Sequence, residues 1–279
     1  MLSIGFFLPL NGIEKILVRT TSSVGDLHKD AQGTGMDKTT SPVSTGKQQD
    51  GLLTTTINVF AAPGEAFSSI RSRPRILFPL AVLLVPTLAV YFWYFQVVDY
   101  AWFIDDTIAR FGDMPAEQQQ AMRDYYGAQS PLVAGLTTVV GGLFSTLMIL
   151  LVHAAYLTLV SALVGDDFRF RHWFSLLAWT TLPAVLVALV MAVNIMLIPS
   201  GQISIYDANS LSLASLGMTA DTAAMQSLLD TLNLALFWSL ALLVAGYRQW
   251  VNAGWLRSTL VVLAPYILII GGVAFFALS

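Results

Sequence analysis

The chain has 279 residues, a formal net charge of −3 and no cysteine. Charged residues make up 11 % and hydrophobic residues 56 %, where an ordinary soluble domain is about 25 % charged. These figures exclude disulfides, thiolate metal sites and cysteine nucleophiles, give no electrostatic footprint for a nucleic-acid partner, and place most of the surface against lipid.

Residues 1–51 are rich in Ser, Thr, Gly, Lys, Asp and Gln, without sustained periodicity. They read as a disordered tail. The apolar piece at 4–10 has no basic residue before it and is too short for a secretory signal. Because 1–35 adds no recognisable element, Met36 is an alternative start. Residues 52–70 then carry Leu53, Ile57, Phe60, Phe67 and Ile70 among polar residues. Pro63 suits a first helical turn and Glu65 its positive end. The spacing predicts one short amphipathic helix on the membrane surface.

Arg71, Arg73 and Arg75 precede the first expected span, 77–98, and Asp99, Asp105 and Asp106 follow it. Basic before and acidic after is the pattern of a span that starts in the cytoplasm. The aromatics at 91–95, with Trp102 and Phe103, suit the far interface. In the loop 111–130, Asp113 is the expected cap of a helix through Gln120 to Tyr126.

The second span, 132–164, organises the chain. It holds no Asp, Glu, Lys or Arg. As one helix it reaches ~50 Å at ~1.5 Å per residue, beyond the ~30 Å hydrocarbon core of a bilayer, so it is expected to tilt or kink. Gly141, Gly142, Ser145 and Thr146 form two rows of small residues that admit a close helix, in this chain or in a second copy.

Asp166, Asp167, Arg169, Arg171 and His172 make a tight inside turn, followed by the third span, 173–198, with Pro183. The loop 199–230 has no Lys or Arg, and Thr219 is the expected cap of a helix leading back to the membrane. The fourth span, 231–250, lets Arg248 snorkel while Trp250 lies at the interface. Arg257 precedes the fifth span, 258–278. Of the 14 Lys and Arg residues, only Arg110 and Arg123 fall outside in this assignment. That asymmetry predicts a cytoplasmic N-terminus and a C-terminus on the outer face.

Several stretches carry a family likeness. Asn58-Val59-Phe60, Pro63-Gly64-Glu65-Ala66-Phe67 and Arg73-Pro74 resemble a surface helix placed before a first span. The small residues and proline of 178–183, and 238–246 followed by Pro265, resemble third-span and closing-pair signatures. As a set, residues 52–278 resemble the Yip domain family, the Ypt/Rab-GTPase-interacting membrane proteins, in its bacterial form. The resemblance implies five spans, a cytoplasmic N-terminus, a bacterial inner membrane and no known enzymatic activity. Eukaryotic relatives bind Rab-type GTPases in vesicle traffic. Their acidic motif with tyrosine and proline is not visible here, so no residue is assigned that role.

Chemistry is sparse. Apart from Arg248 at the inner end of the fourth span, no Asp, Glu, Lys or Arg lies within a span, which argues against a carboxylate proton relay and against an intramembrane metalloprotease. No phosphate-cradling loop ending in Lys-Ser or Lys-Thr exists. His28, His153 and His172 are scattered and make no metal site, and no cofactor is expected. His153 lies ~18 Å from the inside end of its helix and Pro183 ~15 Å from that of the next. A proline frees the carbonyl four residues earlier, here Trp179, so His153 is expected to donate to that carbonyl or to Thr180 or Thr181. Pro86, Pro183 and Pro265 lie at ~14, ~15 and ~10 Å depth, where three kinks would share the inner half of the bilayer and line a groove.

The reading is an all-α integral membrane protein, a five-helix bundle with a surface helix, acting without catalysis as a membrane organiser or partner-binding protein. Arg71, Arg73, Arg75, Arg169, Arg171, Arg248 and Arg257 face anionic headgroups, each worth ~1 kcal/mol of surface attraction, or a membrane or cytoplasmic protein partner. The rival is a small-molecule or lipid transporter. That rival requires Ser145, Thr146, His153, Thr158, Ser161, Thr180 and Thr181 to converge on one cavity.

Overall fold

Among the described residues two short helices come first, α1 (Leu52–Ala61) and α2 (Pro63–Ser72), then a long one, α3 (Leu77–Val97). Next are α4 (Tyr100–Ala109), α5 (Ala116–Gly127) and the longest, α6 (Pro131–Val164). A 3₁₀ turn at Leu182–Ala184 separates α7 (Phe170–Thr180) from α8 (Val185–Leu197), and α9 (Ala223–Thr231), α10 (Leu234–Val251) and α11 (Trp255–Leu278) complete the chain. The structure is a computed structural model. It describes residues 51–112 and 114–278, the side chains of 269 and 273–278 excepted. The expected tail, the start at Met36 and the cap Asp113 lie outside those residues. Among the described residues there is no strand, only one bridge between Ser212 and Asn233.

Local chemistry sets the helix ends. Ser130 accepts the Val133 N–H at the start of α6, and Pro131 takes a first-turn place whose N–H has no helical partner anyway. Gly165, at φ 84°, closes α6 in the left-handed region. Asp99, Thr222 and Asn233 cap α4, α9 and α10 through side-chain oxygens. Thr222 thus takes the place expected for Thr219. Pro115, not an Asx residue, precedes α5.

The expected single surface helix is two helices. Ala62 leaves helical geometry and Pro63 starts a new helix, because proline suits a first turn and breaks an interior. α2 also does more than lie on a surface: Ala66, Phe67 and Ile70 are buried in the bundle.

Among the described residues five helices, counting α7 through α8 as one, are long and apolar enough to cross a membrane. They bury little of themselves against one another. Only 28 % of the most apolar window of α6 is buried, and Val140 and Phe144 are 62 % and 65 % exposed. Water would not tolerate that much apolar surface on one monomer; lipid covers it without cost. The small-residue rows follow the same rule. A Cβ added at Gly141 or Gly142 would meet nothing within 4 Å, so no helix among the described residues packs closely on them. The close approaches lie elsewhere, at Gly135 against Phe95 and Gly246 against Leu176.

Side chains pack in two clusters. One joins Phe67, Ile70, Leu157, Trp173, Trp179, Tyr247 and Trp250 from α2, α6, α7 and α10. The other joins Tyr94, Phe95, Met191, Ile195 and Ile203. The arginines expected on one side gather at the first end. Arg71 stacks on Phe168 and Arg248 on Trp255, while Phe168 stacks on Trp250.

The opposite end is acidic, and its two arginines have structural work. Arg110 meets Asp106 and Asp207 at 3.0 Å and Asp230 at 3.6 Å, and lies over the Tyr206 ring. Arg123 pairs with Asp105. These are the two exceptions to the charge asymmetry, and both tie the connecting segments together.

Asp99 is the capping carboxylate of this end. It accepts the Trp102 N–H at 3.1 Å and the Gln202 amide at 3.3 Å, and the Trp102 bond, then Gln202, holds its pKa below the ordinary 3.8. A depressed carboxylate stabilises the fold above its unfolded value and loses that contribution as pH falls through the folded one. Hydrogen exchange across 100–109 is therefore expected to quicken, after intrinsic-rate correction, once pH drops below 3.8. Asp99→Asn, which still caps, should abolish that dependence. Protection that stays flat in the native protein down to about pH 2.5 would contradict the assignment.

Candidate functional site

Indole donors build the basic end. Trp179, 1 % exposed, donates its Nε1–H to the Arg75 carbonyl at 3.0 Å, and Ser175 donates to the same oxygen at 2.8 Å. Trp250 donates to the Phe67 carbonyl at 3.0 Å, and Gln249 reaches the Gly64 carbonyl and the Ser68 hydroxyl. Trp173 donates to Ser161 Oγ at 3.0 Å, joining α7 to α6. A buried indole N–H needs an acceptor. Here each acceptor lies on a neighbouring segment, so satisfying the ring also docks that segment.

The Arg75 carbonyl clamp fixes the link between α2 and α3 against α7. The consequence is an open cleft of about 520 Å³ lined by Ser72, Arg73, Pro74, Arg75, Arg169, Arg171 and His172. Two stretches nearly a hundred positions apart supply four guanidinium groups to it. Among the described residues, no carboxylate lines it. His172 Nδ1 accepts the Arg169 N–H at 3.2 Å, which fixes the neutral ring's proton on Nε2. A smaller crevice adjoins, sharing Arg73 and Arg75 and reaching Thr55 and Trp179. The seven arginines expected to act alike therefore divide. Arg73, Arg75, Arg169 and Arg171 share the cleft, Arg71 and Arg248 cover aromatic faces, and Arg257 is exposed outside it.

Within the membrane span the expected pairings are replaced. His153 is 4 % exposed, and its Nδ1 meets the Tyr266 hydroxyl at 3.3 Å, while Nε2 has no partner among the described residues. Three residues on, Tyr156 donates to the Val261 carbonyl at 2.9 Å. So His153 ties α6 to α11 and not to the third span. Thr180 and Thr181 both donate to the Leu177 carbonyl of their own helix, as hydroxyls in helices do. The three prolines also part company. α3 runs on through Pro86 and α11 through Pro265; only Pro183 coincides with a break, in the buried 3₁₀ turn. None of the three lines either cleft described above.

The polar residues required for a transport path are dispersed. Ser145 is exposed, Thr158 bonds the Ala154 carbonyl, and Ser161 accepts from Trp173. Tyr266 and the Arg75 carbonyl clamp were not anticipated from sequence. The available signal for the clamp was the presence of Trp173, Trp179 and Trp250 themselves, since each buried ring needs an acceptor.

Five apolar crossings among the described residues define a multi-pass helical membrane protein. The model of the Yip1 domain family matches residues 57–278, and the chain belongs to that family. No curated protein and no solved structure matches it.

Proposed function

We propose that this protein is a non-enzymatic organiser of a bacterial inner membrane, its N-terminus cytoplasmic, holding a partner at the arginine cleft on the cytoplasmic face. The observation that carries this reading is the convergence of Arg73, Arg75, Arg169 and Arg171 on one open cleft. Topology alone explains arginines on one side of a membrane; it does not explain their gathering from two separate segments. Thr158, Thr180 and Thr181 bond carbonyls of their own helices and His153 Nδ1 pairs with Tyr266, which supports a scaffold over a conduit. Family membership supports a membrane role.

The test is reconstitution of the full chain in vesicles, together with capture from native membrane patches. The expected result is no ion, solute or lipid movement above empty vesicles, and a captured component that is lost on Arg169→Glu/Arg171→Glu. Chain-dependent flux, or identical captured sets from both forms, would overturn the reading. A C-terminal reporter active only in the cytoplasm should stay silent.

A further inference from the structure

We infer that the arginine cleft is a phosphate site that takes the headgroup of one anionic phospholipid from the surrounding leaflet. The inference rests on the organiser reading, which puts the cleft at the cytoplasmic surface, and names its occupant.

Three independent features point to a phosphate. The first is the donor set. Guanidinium forks match phosphate oxygens two at a time, and Arg75, Arg169 and Arg171 line the cleft beside Arg73 with no carboxylate among the described lining residues. Arg75, Arg169 and Arg171 form no ion pair with any described residue. The second is the backbone. The cleft spans the starts of α3 and α7, whose N-caps are Ile76 and Arg169, and neither first turn holds an acidic residue. Helix starts carry partial positive charge that a carboxylate commonly offsets; His172 takes the Arg169 N–H, and no acidic side chain of either first turn offsets the rest. The third is size, since about 520 Å³ lies within the ~300–1,000 Å³ of small-ligand sites.

The position selects a lipid. Both helices that frame the cleft enter the membrane there, so the guanidinium groups lie at headgroup depth. Leu77, two residues after Arg75, is 83 % exposed, and Phe170, between Arg169 and Arg171, is 39 % exposed. Apolar side chains beside the charges offer contact to acyl chains, which a free anion does not have. Arg75 is also held without using its side chain, because the clamp from Trp179 and Ser175 grips its carbonyl.

The test uses the full chain in phosphatidylcholine nanodiscs, titrated with phosphatidylglycerol and read by native mass spectrometry. One retained phosphatidylglycerol per chain is expected. Arg75→Gln/Arg171→Gln should weaken retention about thirtyfold, while Arg248→Gln/Arg257→Gln, an equal charge loss at the same end outside the cleft, should weaken it about threefold or less. Equal losses in the two double variants would mean diffuse surface attraction and overturn the site. Inorganic phosphate binding as tightly as the lipid would overturn the lipid assignment. So would absence of retained lipid with a soluble protein held by the same arginines. Should the glutamine variant fail to fold, Arg75→Lys/Arg171→Lys keeps the charge and loses the planar forks; about fivefold weaker retention is expected, and undiminished retention overturns the site. Failure of the organiser reading shows as flux, so the two failures are distinguishable.

Discussion

Trp179→Ala is expected to cost about 4 kcal/mol and to dismantle the arginine cleft, whereas Trp179→Phe should cost about 1 kcal/mol. The difference lies in which effect dominates. Trp179 is fully packed in the larger cluster, against Phe78 at a ring separation of 5.9 Å. Truncation to alanine leaves a cavity that the surrounding helices refill only in part. Phenylalanine keeps most of the ring and loses only the bond to the Arg75 carbonyl, and hydrogen bonds between membrane segments average only ~0.6 kcal/mol. Ser175 still holds the same oxygen at 2.8 Å. Equilibrium unfolding by denaturant in bicelles measures both variants, and retention of an anionic lipid reports the cleft separately. Equal costs for alanine and phenylalanine would show that the hydrogen bond, not the packing, holds α7 to the α2–α3 link.

Gly201→Ala is expected to cost about 3 kcal/mol or more. Gly201 has φ +68°, and an added Cβ would lie 2.4 Å from the Val97 carbonyl oxygen and 2.9 Å from the Asp99 nitrogen. Both contacts are backbone, so no side chain can swing away. Relief would require separating the end of α3 from the 198–201 turn, which breaks the Asp99 N–H bond to the Gly201 carbonyl at 3.0 Å. Asp99 caps α4, so the loss extends to that helix. Gly217 is the internal control. Its φ is +97°, but nothing lies within 4 Å of an added Cβ, so alanine there meets only backbone strain, about 1 kcal/mol. Unfolding midpoints of the two variants side by side decide the matter. If Gly217→Ala is the more damaging, conformational strain and not the clash sets the scale.

Much of the architecture was legible because a membrane span is announced locally. The 132–164 segment needs no partner to be recognised, since length and apolar content alone make it a crossing. Arg71, Arg73, Arg75, Arg169, Arg171, Arg248 and Arg257 were assigned to one side by the same kind of counting. The split of the surface helix at Ala62 was also open to a stricter use of Pro63. The pairings were not legible. His153 was matched with the proline-freed region of the third span on depth alone, yet depth fixes only one coordinate of three. Tyr266, on α11, stands 113 positions away and occupies the face that His153 presents. The equal-depth prolines part in the same way, since Pro86 and Pro265 lie inside continuous helices and only Pro183 lies at a break.

By itself, the sequence determined the solvent, the five apolar rods and the end of the bundle that carries positive charge. Those are sums of single-residue transfer preferences along the chain, and they need no knowledge of neighbours. Tertiary structure decided which arginines converge, which merely cover an aromatic ring, and which polar groups inside the bilayer bond one another. The cleft exists because Trp179 and Ser175 hold a carbonyl about a hundred positions away, and proximity of that kind is a property of pairs, written only when the helices have packed.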